Sequence, residues 1–289
     1  MLRDHRLNKI LQKDGFVVLD SLNKSLIDNC YKSIKKEFNE LDTRIFQNNN
    51  TYIDVDFHTT FLDNNKEYKN VIFKNISLLI NDNLKEHFID YKILQANLFN
   101  KVTGKGIIVP HQNLTTIDEE VESSYAIWIP LNDTNELNGT IYLTPGSQRK
   151  FEKYRNHNKH WSPLYATEQI SDYNMIPMNL KKGQILIFDD SIIHASPVNQ
   201  TAESRVVFHA TLSSKDAQTV YCLFRDKKVD LIRVSNEFWK YFTPGDPEPT
   251  APIYKTVPFE DKIYSKQSIK REISQRDTVL KKIFKSLNF

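Results

Sequence analysis

YKILQANLF (Tyr91–Phe99), IIVP (Ile107–Pro110), YAIWIPL (Tyr125–Leu131), GTIYLTP (Gly139–Pro145), NMIPMNL (Asn174–Leu180), QILIF (Gln184–Phe188), RVVFHATL (Arg205–Leu212) and TVYCLF (Thr219–Phe224) succeed one another as short apolar runs. Thr103-Gly104, Asn138-Gly139, Pro145-Gly146 and Lys182-Gly183 break the series. Many short strands separated by turn signals specify a sandwich or a barrel. Within YAIWIPL, Tyr125, Ile127 and Ile129 alternate with Ala126 and Trp128, so successive side chains point to opposite faces and Trp128 is expected as a core aromatic.

Outward from this region the pattern changes to helical. GFVVLD (Gly15–Asp20) reads as a strand after a short helix, and Asn23–Leu41 places Leu26, Ile27, Ile34, Phe38 and Leu41 at helical spacing. Residues 42–65 are rich in Asn, Asp and Thr and read as a loop; a second helix is expected over Lys66–Glu86, striped by Ile72, Ile76, Leu79 and Ile80. The polar insertion Ser147–Ile170, with Tyr154, Trp161 and Tyr165, has the length of a lid or binding loop. After Phe224 the chain is expected to leave the barrel as a proline-rich strap (243–258) and a last helix (263–287). With neither repeat nor linker, residues 1–289 read as one domain: a helical layer (1–90), a strand core (91–224) and a C-terminal addition (225–289).

Thirty-nine basic residues against 36 acidic ones give a formal charge of +3, too balanced for a nucleic-acid footprint. Arg149, Lys150, Lys153 and Arg155 open the insertion and are expected as solvated charge. No apolar run is long enough to span a membrane. Cys30 and Cys222 lack metal or redox spacing, which points to a reducing, cytoplasmic setting.

Three pieces of the strand region belong together: Pro110-His111-Gln112-Asn113, Gly183–Asp189 followed by Ile192-Ile193-His194-Ala195-Ser196, and Arg205 at the head of RVVFHATL. A ferrous oxygenase site uses two imidazoles and a carboxylate on one face, leaving positions open for cosubstrate and oxygen. A His-X-Asp or His-X-Glu pair at a strand end supplies two ligands from one element, and a distant His supplies the third. A buried Arg offers a bidentate fork to a carboxylate.

In their order, GFVVLD, HQN (111–113), WIPLNDTNELNGTIYLTPGSQ (128–148) and KKGQILIFDDSIIHASPVNQTAESR (181–205) resemble the phytanoyl-CoA dioxygenase family over roughly residues 10–215. The resemblance implies a double-stranded β-helix core (jelly-roll, cupin-like), mainly β with flanking α-helices. It implies Fe(II) on His111, His194 and the position of Asn113. 2-Oxoglutarate is then the cosubstrate, its distal carboxylate on Arg205 and Ser196, and a small-molecule C–H bond is hydroxylated. His5, His58, His87, His157, His160 and His209 fall outside the motifs and are read as packed or exposed histidines.

Two positions depart from the family. Gln148 replaces a histidine that is not an iron ligand. Asn113 replaces the metal carboxylate, leaving several readings open: weak or absent iron, Asp118 or Glu119 swinging in, or water or an anion filling the position. The alternative to an oxygenase is therefore an iron-poor relative serving as a small-molecule or partner-binding module.

Overall fold

The computed structural model describes residues 1–20, 22–46, 55–156, 170–260, 262 and 264–273. Its elements are α1 (His5–Asp14), β1 (Phe16–Leu19), α2 (Lys24–Glu37), α3 (Leu41–Arg44), β2 (His58–Thr59), α4 (Lys66–Asn83), β3 (Tyr91–Lys101), β4 (Ile108–His111) and β5 (Ser124–Pro130). They continue with β6 (Tyr142–Leu143), β7 (Ile176–Pro177), β8 (Ile185–Asp189), β9 (His194–Ser196), β10 (Arg205–Ser214), β11 (Val220–Arg225), β12 (Lys228–Arg233), α5 (Phe238–Tyr241) and β13 (Ile253–Pro258).

Antiparallel pairing gives a six-stranded sheet in the order β1-β8-β5-β10-β3-β2 and a four-stranded sheet in the order β4-β9-β6-β7. Strand alternation explains how they stack. Ile127 is level with Ile187 and Ala210, and Ala210 with Ala96; this parity packs on Leu11, Ile27, Ile34, Ile72, Ile76 and Ile80 of the helices. The opposite parity, with Ala126, Trp128, Leu186, Phe188 and Val207, packs on Ile141, Leu143 and Ile192 from the second sheet and its flanks. Both faces of the large sheet are covered, so every residue of β5 is buried. Each large apolar side chain so buried contributes roughly 1.5–3 kcal/mol.

Local signals fix the entry to this arrangement. Asp4 caps α1, its Oδ1 accepting from the Arg6 and Leu7 amides, and Gly15 ends the helix at φ 84°, a left-handed conformation suited to glycine. Gln148 donates from Nε2 to the carbonyls of Gln12 and Lys13. The residue in the histidine's place therefore caps the end of α1.

Several expectations change. TVYCLF, placed in the barrel core by its apolar pattern, is β11 of a separate three-stranded sheet, β11-β12-β13. The proline-rich strap contributes β13, which pairs with β12 over Ile253–Pro258; Pro258 is tolerated because the strand is at an edge. The 42–65 loop contributes β2, which joins β3. Residues 266–273 are helical. Trp161 and Tyr165, and the remainder of the expected last helix, lie outside the described residues.

Candidate metal and cosubstrate site

His111 ends β4 and His194 begins β9, and the two are register partners. Their ring centroids lie 4.1 Å apart. His111 Nδ1 is 2.9 Å from the Val109 carbonyl, and His194 Nδ1 is 3.0 Å from the Ile192 carbonyl. A carbonyl only accepts, so each Nδ1 carries the proton and each Nε2 keeps its lone pair. Burial holds the His111 imidazolium below its ordinary range; burial, then the proximity of His111, holds His194 well below it. Two neutral imidazoles with fixed tautomers suit a divalent transition metal.

The third expected position differs. Asn113 donates from Nδ2 to Asp190 Oδ1 at 2.7 Å and from its backbone to the Asp190 carbonyl at 2.9 Å. Its own carbonyl accepts from Arg155 Nε at 2.5 Å. Neither acidic residue expected to swing in is free. Glu119 is held by both oxygens on the Arg155 guanidinium, at 2.5 and 2.9 Å. Asp118 caps the Glu120 amide and lies 3.5 Å from Lys255 Nζ. Among the described residues, no three His, Cys, Asp or Glu side chains converge as a metal site. The two imidazoles thus fit a divalent metal such as iron, and among the described residues no acidic side chain completes the set.

Deeper in the barrel, Arg205 heads β10 and is 2% exposed. Its guanidinium lies over the Trp128 ring, 5.6 Å from the centroid, and its Nη2 is 3.5 Å from Ser196 Oγ. Its Nε has no hydrogen-bond partner. Burial lowers its pKa to about 9, so it remains a cation at neutral pH. Directly across the ladder stands Lys101, 1% exposed. Lys101 Nζ donates to Ser196 Oγ at 2.5 Å, Pro197 O at 2.9 Å and Ser196 O at 3.2 Å. Burial, then the Arg205 charge, pushes Lys101 well below its ordinary range. An anion beside the pair would favour both charged forms. Ser196 Oγ donates to the Gly139 carbonyl at 2.7 Å, so its single proton is engaged there and its oxygen faces the Lys101 and Arg205 side chains.

A cavity of about 480 Å³ is lined by His111, Asn113 and Asp190. Its walls are largely apolar, with Phe57, Phe61, Phe99, Ile107, Leu114 and Trp239. On the strand face that carries Phe99 runs an uncharged polar stripe: Gln95 paired with Thr211, and Asn97 paired with His209. His209 Nδ1 is buried without a hydrogen-bond partner. No lysine or arginine lines the cavity among the described residues. Arg155, expected in solvent with its basic neighbours, is instead buried against Glu119. Lys153 pairs with Glu120 at the surface.

Lys101, Asp190 and His209 were not singled out by the motifs. Lys101 had one available signal: it continues the inward parity Gln95, Asn97, Phe99, a charge on the buried face of a strand.

The sequence profile of the phytanoyl-CoA dioxygenase family matches residues 11–207. "Phytanoyl-CoA dioxygenase 1" of Oryza sativa subsp. japonica is 28% identical over 145 residues, covering 46% of this chain and 50% of that protein. The "phytanoyl-CoA dioxygenase domain-containing protein 1 homolog" of Dictyostelium discoideum is 24% identical over 255 residues, 73% of this chain and 91% of that one. The match spans about half the length of the plant relatives. Among solved structures, the epimerase SnoN, in complex with Fe3+, alpha ketoglutarate and nogalamycin RO, aligns with a TM-score of 0.53 at 13% identity. That alignment covers 88% of this chain and 94% of the epimerase and shows a shared fold.

Proposed function

The chain belongs to the phytanoyl-CoA dioxygenase family, and we propose that it works as an iron(II)- and 2-oxoglutarate-dependent oxygenase hydroxylating a C–H bond of a neutral, largely apolar small molecule. The observation that carries this reading is the pair of buried basic side chains, Lys101 and Arg205, which lack a carboxylate partner at ion-pair distance among the described residues. Buried charge of one sign is costly unless something compensates it. A dicarboxylic acid brings the missing charge, and a guanidinium with an unsatisfied Nε offers it a fork.

His111 and His194, whose Nδ1 atoms face the Val109 and Ile192 carbonyls, would hold the iron, with Asn113 beside them. Bound iron supplies oxygen activation coupled to decarboxylation of the 2-oxo acid, giving succinate and CO₂. The chain's own contribution is placement: Arg205 and Lys101 fix the distal carboxylate, and Trp128 backs the guanidinium. The apolar walls and the stripe of Gln95, Asn97, His209 and Thr211 hold a substrate with hydrogen-bonding groups along one edge. Among the described residues no lysine or arginine lines the cavity, so none of them offers an anionic substrate a counter-charge there.

Succinate release from 2-oxoglutarate, measured with Fe(II) and ascorbate in air, tests the proposal. The unmodified protein is expected to release succinate, and Arg205→Ala to require at least tenfold more 2-oxoglutarate. A second reading is favoured by one observation, that among the described residues no acidic side chain converges on the His pair: an iron-poor relative binding a small molecule in the same cavity. Binding of 2-oxoglutarate that is indifferent to metal, with no succinate, is its signature.

A further inference from the structure

The cavity wall that carries Phe61 and Trp239 comes from two segments far apart in the chain, and one side chain joins them. Lys69, near the start of α4, is 2% exposed. Its Nζ donates to Phe242 O and Thr243 Oγ1, each at 2.6 Å, to Phe61 O at 3.2 Å and to Tyr241 O at 3.3 Å. Tyr241 to Thr243 close α5, whereas Phe61 lies in the turn after β2. Phe61, Leu62 and Trp239 all line the cavity. Around this point the two segments also meet directly. Thr243 Oγ1 donates to Asp63 O at 3.2 Å, and the Phe61 and Phe242 ring centroids lie 6.0 Å apart. Trp239 Nε1 donates to Val220 O at 3.2 Å, which fixes the indole in the wall.

A buried lysine is a poor way to fill space, because its amine must be desolvated while an apolar chain of similar length packs without that cost. What the amine adds is direction, since its N–H donors converge from α4 on oxygens of both segments. An ammonium has three N–H groups and a neutral amine two, so either form reaches both segments and the tie does not depend on protonation. Tyr68, the preceding residue, holds the same wall from behind. Its hydroxyl is 3.0 Å from His58 Nε2 and accepts from Thr60 Oγ1 at 3.3 Å. His58 and Thr60 alternate with Phe57, Thr59 and Phe61, the residues of this stretch that line the cavity. A wall ordered before the ligand arrives spares the ligand the cost of ordering it.

We propose that Lys69 is a positioning residue for the substrate: it fixes Phe61 and Trp239 as one wall of the cavity, so that the α5 segment helps determine which substrate is taken. The family match ends at residue 207, so this determinant lies past it. The proposal rests on the oxygenase reading only in calling the occupant a substrate.

The test is calorimetric binding of 1-naphthol, a neutral aromatic alcohol suited to these walls, to the full chain. Co(II) plus 2-oxoglutarate is titrated separately, and thermal unfolding is recorded for each variant. Lys69→Met keeps the stem and removes the donors. With two wall side chains left for the ligand to order, 1-naphthol affinity is expected to fall roughly tenfold, with metal–cosubstrate affinity unchanged. Thr243→Val removes one of the two shortest contacts and is expected to give a smaller loss of the same kind; it carries the test should Lys69→Met not fold. Trp239→Leu alters the wall directly and is expected to weaken 1-naphthol as well. Unchanged 1-naphthol affinity in the folded variants overturns the proposal, as does a unmodified protein that binds no 1-naphthol. Parallel loss of 1-naphthol and metal–cosubstrate binding also overturns it, because that is the mark of a general structural role. If the unmodified protein binds 1-naphthol but neither metal nor 2-oxoglutarate, the oxygenase reading fails, and the variants' 1-naphthol affinities alone decide whether Lys69 positions the wall.

Discussion

Lys101 and Arg205 face one another across the β3–β10 ladder, two buried basic side chains joined through the hydroxyl oxygen of Ser196 rather than through an acid. Lys101 Nζ is 2.5 Å from that oxygen and Arg205 Nη2 is 3.5 Å from it. In the free protein this juxtaposition is a cost, and it makes stability and ligand binding oppose each other.

Replacing a buried, imperfectly paired charge by an apolar residue of similar volume is often neutral or stabilising by about 1–4 kcal/mol. Arg205→Met is therefore expected to match or exceed the unmodified protein's Tm without ligand. The Tm rise that 2-oxoglutarate induces with a divalent metal is expected to disappear in the variant. A lower Tm together with an intact ligand-induced rise would contradict the role given to Arg205.

Gly139 sets the distance between a turn and the same site. Its φ is 72°, and a Cβ there would meet the Pro197 carbonyl at 2.5 Å. The segment it would displace contains Ser196, whose hydroxyl donates to Gly139 O. Gly139→Ala is expected to destabilise by about 2 kcal/mol or more and to weaken 2-oxoglutarate binding. Urea unfolding and a ligand titration on the same preparation check both effects.

Glu119 is a stability residue in this account. Both of its oxygens meet Arg155, which is itself buried. Removing one partner of a buried pair typically costs about 3–5 kcal/mol. Glu119→Gln is expected to lose roughly that much in chemical denaturation while retaining the Co(II) ligand-field spectrum at low temperature. A spectrum lost without a comparable loss of stability would restore Glu119 as a metal ligand.

His209 gives a pH dependence with a defined sign. Burial lowers its pKa from 6.5 to about 4, so between those values the unfolded chain binds the extra proton. The associated stability is present in full above pH 6.5 and is lost as pH falls toward 4, about 3 kcal/mol in all. His209→Gln is expected to lose about that much less than the unmodified protein when urea midpoints at pH 7 and pH 4 are compared. Equal losses would place the acid sensitivity elsewhere.

Much of the fold was legible because it rests on periodicity. The alternation in β5 and the spacing of Ile72, Ile76, Leu79 and Ile80 in α4 each dictate which face is buried, and the motif order brought His111 and His194 into one site before any coordinates. What escaped depends on cross-strand register. Nothing local to Asn100-Lys101-Val102 says that Lys101 lies opposite Arg205, because that pairing joins residues more than a hundred positions apart. Asp190 was hidden in the Asp189-Asp190 pair, where one carboxylate caps the Ser191 amide and the other reaches Asn113. TVYCLF had the apolar pattern of a barrel strand but joined another sheet, since a buried strand's sequence does not name its neighbour.

The central claim is that the His pair and the buried cations serve one metal–cosubstrate complex. An anaerobic titration of Fe(II) and 2-oxoglutarate into the protein, followed by visible absorption, tests it most directly. The account predicts a metal-to-ligand charge-transfer band that needs both additions, is absent in His194→Ala, and shifts to much higher 2-oxoglutarate in Arg205→Met. No band in the unmodified protein at saturating Fe(II) and 2-oxoglutarate would contradict it.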